Sequence, residues 1–355
     1  MTMMPAIKRL GVLALTALAS AVSAAATPSA GCTQTLASGV YRMTDQNVTR
    51  FYRVLVPSHY KPGSALPLII VFHGWGGDEN EFLDDAHVTS LADERNYIIV
   101  APRGLGSAAP DANRNSWSFS GSTTGVDGSG GAICDPAHTT SFAYPSCKNI
   151  ARNTCSWTQC QADDGAFTLA LVHEIESKLC VDTARIFAAG GSNGAMFTWD
   201  LGRSPATAPT FRAIAALIGL PHRGYLAAPA KAGGLPVLVI TGTHDTTVPP
   251  GAWESTRYTT THDGGAYYYS SASAMSRSWG PANSCPYEGK AATPFDTGAP
   301  EADCRTYCSA NARGWSGDSA RPGWPHVLDC RAAMGHDYQF NWSWKLILDF
   351  FDAQS

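Results

Sequence analysis

Charge is scarce in this chain. Asp, Glu, Lys and Arg together make up 15% of its 355 residues, and the formal net charge is −4. No cluster of Lys and Arg occurs, so neither nucleic acid nor a membrane surface is an expected partner. Long hydrophobic runs are lacking too. The longest, Leu10 to Val22, falls short of the roughly 20 apolar residues that a membrane helix needs. Internal repeats are absent, and no Pro/Thr- or Gly/Ser-rich linker leads to a separate binding module. What is present is a 44% hydrophobic chain, which fits a globular protein with a sizeable core.

Lys8 and Arg9 precede the apolar run, and Val22-Ser23-Ala24 and Ala24-Ala25-Ala26 offer small-residue cleavage sites. This is the pattern of a signal peptide over residues 1–26, cleaved near Ala24 or Ala26, in a secreted or periplasmic protein. An N-terminal anchor would need a longer run. Ten cysteines follow. An even number behind a signal peptide implies disulfides made outside the cytoplasm. Cys155-x4-Cys160 and Cys304-x3-Cys308 resemble zinc half-sites, but neither has the tight paired spacing of a zinc ribbon. Spacing leaves the disulfide connectivity open.

Continuous apolar runs at 66–72, 97–101, 184–189, 213–218 and 236–240 read as buried parallel strands. Phe51 to Pro57 alternates and reads as a further strand, and Val327 to Cys330 as a last one. Helical periodicity marks 164–179, with Asp163 or Asp164 as its cap, and also 195–201 and 342–352. Alternation of strand and helix predicts an α/β fold, a mostly parallel sheet covered on both faces. Residues 27–355 are expected to form one domain with loop-rich, disulfide-pinned insertions at about 103–162 and 250–325.

Gly190-Gly191-Ser192-Asn193-Gly194 lies between a buried strand and a helix. In that setting G-x-S-x-G makes a sharp turn that lifts the Ser192 hydroxyl above the sheet, at a helix N-terminus. The Asn193 backbone N–H then faces a developing oxyanion. A serine nucleophile needs a base, and the base needs an orienting acid, in the chain order Ser, Asp, His. Asp245 follows a buried strand. Of the later histidines, His336 stands between a strand and the closing helix, ahead of His326 and His262. His73-Gly74-Trp75-Gly76 follows the strand at 66–72, where the second oxyanion donor belongs; it is assigned to the Trp75 backbone, with the neighbouring glycines as alternatives. His73 reads as a structural hydrogen-bonder.

These stretches together resemble the secreted esterases related to polyhydroxybutyrate depolymerases and to feruloyl esterases of the C and D types. The resemblance rests on residues 66–77, 100–104, 163–167, 180–197, 235–250 and 335–338. It implies the α/β-hydrolase fold, ester hydrolysis by Ser192, Asp245 and His336, and a Cys285–Cys330 disulfide. The chain departs from common family patterns in having Gly191 before the serine, Ala195 after Gly194, and Gly335-His336-Asp337-Tyr338 at the histidine. The expected chemistry is two-step acyl transfer with no metal or cofactor, by a monomer acting on a polymeric ester. Feruloyl or acetyl groups on cell-wall polysaccharide are the first expectation, and a polyester such as polyhydroxybutyrate the second. A non-catalytic binding protein on the same scaffold is a third reading. Trp117 and Phe119, with Trp75, are expected to offer aromatic faces to the substrate.

Overall fold

The computed structural model describes residues 26–106, 114–137, 139, 144–261, 266–285, 291–308 and 323–355. Most of the expected signal peptide, residues 1–25, lies outside this set, as does His262. Strands β1 (Gly39–Asp45) and β2 (Val48–Leu55) form a hairpin. After it come β3 (Leu66–Phe72), α1 (Ala86–Glu94), β4 (Ile98–Pro102), α2 (Asp164–Lys178), β5 (Val181–Gly191) and α3 (Asn193–Arg203). Strands β6 (Ala213–Leu217) and β7 (Val237–Gly242) precede a small hairpin of β8 (Tyr258–Thr260) and β9 (Tyr268–Ser270). The chain then runs through α4 (Ala272–Trp279), β10 (Thr293–Pro294), β11 (Ala302–Thr306), β12 (Val327–Ala332) and α5 (Phe340–Ala353).

All strands but β8 and β9 join one sheet, in the order β1-β2-β4-β3-β5-β6-β7-β12-β11-β10. The run from β4 to β12 is parallel, and the strands outside it pair antiparallel. Side chains of a strand point alternately to the two faces. In β3, Leu68, Ile70 and Phe72 enter a core shared with α2, α3 and α4. Ile69 and Val71 enter the opposite core, shared with α1 and α5. Burial on both faces is why the central strands carry uninterrupted apolar runs.

Several elements differ from the expectation. The hairpin strand β1 and the helices α1 and α4 lie where no element was expected. Helix α1 begins at Asp85, whose carboxylate accepts the His87 and Val88 N–H groups. Helix α4 buries Ala and Ser together with Met275 and Trp279, and two large apolar residues in eight positions are too few to make periodicity visible. Strand β11 also crosses the expected loop region, and it overturns the expected Cys285–Cys330 bond. Its antiparallel register places Cys304 opposite Cys330, and those two are bonded with Cα atoms 3.9 Å apart. Cys285 pairs with Cys308 instead. The remaining bonds are Cys32–Cys180, Cys134–Cys155 and Cys147–Cys160. No cysteine is left free, so the zinc half-sites do not form.

Candidate active site

Four parallel strands deliver the site to one edge of the sheet. β3 leads into His73 and Trp75, β5 into Ser192, β7 into Asp245 and β12 into His336. Because these strands run the same way, their carboxyl ends share an edge, where open α/β sheets place their ligands.

Ser192 has φ 51° and ψ −115°, a conformation that non-glycine residues avoid. Two close approaches make room for it. A Cβ at Gly190 would lie 2.3 Å from the Gly194 carbonyl oxygen, and one at Gly194 would lie 2.1 Å from that of Phe72. Both positions therefore require glycine. The Ser192 N–H donates to the Leu217 oxygen at 2.9 Å, and its carbonyl accepts the Met196 N–H at 3.0 Å. The neighbouring strand β6 and the helix after the serine thus both grip the turn.

His336 Nε2 lies 2.8 Å from Ser192 Oγ. Its Nδ1 lies 2.8 Å from Asp245 Oδ2. The other oxygen of Asp245 accepts the Thr247 and Val248 N–H groups at 2.9 and 2.8 Å. Asp245 is buried, and a quarter of the His336 side chain, 26%, is exposed. The acid is therefore fixed by the backbone beneath, while the imidazole reaches solvent at the serine. Thr243 N–H and His244 N–H bond to the Ala332 and Met334 carbonyls, tying the aspartate loop to the histidine loop. His326 stands at the amino end of β12, next to Val237 at the start of β7, on the far edge of the sheet.

Asn193 opens α3, so its N–H is among the first-turn donors that have no acceptor inside the helix. Its side chain is buried and clamps Trp117: Oδ1 accepts the Trp117 N–H at 2.8 Å, and Nδ2 donates to the Trp117 oxygen at 3.1 Å. Trp75 is 41% exposed, and its indole N–H donates to the Tyr144 hydroxyl at 3.0 Å. His73 is buried beneath this loop. Its Nε2 accepts the Gly104 N–H at 2.8 Å, which leaves Nδ1 to donate to the Gly74 oxygen at 2.6 Å. Burial pushes its pKa below the ordinary value, so it stays neutral and holds the β3 and β4 loops together.

Trp117 and Phe119 do not serve as expected. Trp117 is fully buried and Phe119 is 4% exposed. Trp117 stacks on Phe197 and meets Phe72 edge-on. Phe119 stacks on His222. Both aromatic faces are spent on the core, which leaves Trp75 as the exposed member of the expected three. A cavity of about 450 Å³ opens at the serine, lined by residues that include Trp75, Glu81, Ser192, Ile218, His336 and Tyr338. Sequence reasoning missed Glu81 and Tyr338 as a unit. They are 257 positions apart, and no local pattern links them.

No family model matches the chain. It is similar to a protein described as probable feruloyl esterase C from Aspergillus niger, at 28% identity over 207 residues. That match covers 58% of this chain and 58% of the relative. Among solved structures it is similar to an acetyl xylan esterase from Aspergillus awamori. The TM-score is 0.52 at 14% identity, covering 88% of this chain and 99% of the other. The fold is that of the α/β-hydrolases. Within the α/β-hydrolase frame, the likeness to feruloyl esterases carried by the sequence motifs reappears in the Aspergillus niger relative. The site lies at the carboxyl edge of the sheet, where hydrolases of this fold present their serine.

Proposed function

We propose that the protein is a secreted serine carboxylic-ester hydrolase, with Ser192 as nucleophile, His336 as base and Asp245 as the orienting acid. The continuous hydrogen-bond chain from Ser192 Oγ through His336 to Asp245 carries this reading. With Nδ1–H donated to Asp245, Nε2 holds the lone pair that takes the Ser192 proton as Oγ attacks the ester carbonyl. The backbone N–H groups of Asn193 and Trp75 bind the oxyanion. His336 returns the proton to the departing alcohol. It then activates water, which releases the acid and frees the serine.

Five disulfides and the signal-like leader support secretion. The favoured substrates are feruloyl or acetyl esters of plant cell-wall polysaccharide. Two observations support this choice: the partial likeness to a feruloyl esterase, and the exposed Trp75 indole at the cavity mouth. That indole suits a flat phenolic acyl group or a sugar ring. The oxidised protein and its Ser192→Ala variant, assayed on p-nitrophenyl acetate, methyl ferulate, acetylated xylan and polyhydroxybutyrate, test the proposal. Turnover that disappears in Ser192→Ala is expected, with methyl ferulate or acetylated xylan preferred. Preference for polyhydroxybutyrate would replace the substrate assignment with polyester. A folded protein with no turnover on any ester would leave only the binding-protein reading.

A further inference from the structure

The loop after β3 and the histidine loop meet at one carboxylate. Glu81 Oε1 accepts the Gly74 N–H at 2.7 Å and the Tyr338 hydroxyl at 2.5 Å. Gly74 precedes the proposed oxyanion donor Trp75, and Tyr338 stands two positions after His336. One oxygen atom therefore ties the two loops whose relative placement sets the distance from base to oxyanion. We propose that Glu81 is a positioning residue for the ester hydrolysis proposed above, fixing the Trp75 N–H relative to His336 through Gly74 and Tyr338. The inference rests on that functional reading.

The surroundings of Glu81 are shaped to this task. A Cβ on Gly77 would lie 1.9 Å from Glu81 Oε2, and a Cβ on Gly74 would lie 2.6 Å from the Tyr338 hydroxyl. A Cβ on Gly191 would lie 2.3 Å from the Tyr338 ring. Three glycines thus give space to one Glu–Tyr pair. This gives a physical reason for the pairing of Gly191 with Tyr338: the ring occupies the space that a side chain before the serine would need. The ring is held on its other side by stacking on Phe82, at 5.5 Å between centroids. The Tyr338 carbonyl accepts the Ser343 hydroxyl at 2.6 Å. Glu81 also takes the Gly74 N–H out of reach of the substrate.

Displacing a reacting group by about 1 Å costs on the order of 100-fold in rate, and losing one oxyanion donor costs at least as much. The test is kcat and KM on p-nitrophenyl acetate for the wild type, Ser192→Ala, Glu81→Ala, Glu81→Gln and Tyr338→Phe, with a melting curve for each. Glu81→Ala is expected to lower kcat about 10- to 100-fold with KM little changed. Glu81→Gln keeps an acceptor oxygen and is expected to recover most of that loss, a rescue that a merely structural role at this position would not require. Tyr338→Phe removes a single hydroxyl and is expected to lower kcat several-fold with an unshifted melt. It carries the test if Glu81→Ala does not fold. Wild-type kcat in folded Glu81→Ala, or in Tyr338→Phe, overturns the inference while the Ser192-dependent activity stands. A glutamine variant as slow as the alanine variant overturns it as well. Wild-type protein without Ser192-dependent turnover would remove the hydrolase reading and this inference together.

Discussion

Ser192 pays for its exposed hydroxyl with a backbone conformation that costs about 1–3 kcal/mol. The strain is held by hydrogen bonds on both sides of the turn and by glycines at 190 and 194 that admit no substitute. Asp245 shows the complementary arrangement, a buried carboxylate saturated by two backbone N–H groups and one imidazole. Asp245→Asn presents a neutral amide to His336 Nδ1, which favours the tautomer with its proton on Nε2 and removes the base. Its kcat is expected to fall by about 10⁴, with folding preserved. A stopped-flow burst with p-nitrophenyl acetate measures this, and a loss below tenfold would count against the assigned role. The hydrogen-bonded set Ser192, His336 and Asp245 was legible in sequence because each member follows a strand that its own apolar run announces. Trp117 and Phe119 were not, since an aromatic residue in a polar loop reads the same whether its ring faces solvent or core. Nothing near Trp117 in sequence reveals that Phe72 and Phe197 close over it.

At the scale of elements, the strands that position the site were visible and those that brace it were not. Strands β3, β5, β6 and β7 are buried on both faces and betray themselves by composition. Strand β11 is half-polar, with alternating burial, and only its pairing to β12 explains why Cys330 bonds Cys304. That disulfide anchors the strand that leads to His336. The Cys32–Cys180 bond acts elsewhere, tying the segment before β1 to the end of α2 across 148 residues. It lies at the amino end of β5, away from Ser192. A Cys32→Ala/Cys180→Ala double variant is expected to lose up to about 5 kcal/mol of stability by the loop-entropy relation. Its kcat at moderate temperature should match the wild type. Urea unfolding alongside an ester assay separates the two effects, and an unchanged unfolding midpoint would show that the bond constrains little.

The molecule as a whole carries a buried imidazole away from the proposed triad. His222 is fully buried and stacks between Phe119 and Tyr269. Its Nε2 accepts the Trp157 indole N–H at 3.0 Å, so Nδ1 donates to the Tyr268 oxygen at 3.2 Å. Burial lowers its pKa from 6.5 to about 3. Between those two values the unfolded chain takes up a proton that the folded protein refuses. The stability tied to His222 is therefore complete above pH 6.5 and drains away as pH falls toward 3. The full loss is at most about 5 kcal/mol, at 1.36 kcal/mol per unit. His222→Phe should unfold with a smaller difference between pH 7 and pH 4 than the wild type does, and equal differences in urea titrations would contradict this. His222 and its partners come from segments distant in sequence, which is why no reading of the chain alone would assemble them. The clamp between Asn193 and Trp117 has a consequence for anyone redesigning this protein. The region after β4 looks like dispensable ornament, open to trimming or exchange with that of another protein of this fold. Yet one of its residues, Trp117, holds the side-chain amide of Asn193 at the start of α3, and another, Tyr144, steadies the indole of Trp75. A graft that omits them would strip the proposed active site of its inner scaffolding while leaving Ser192, Asp245 and His336 in the sequence.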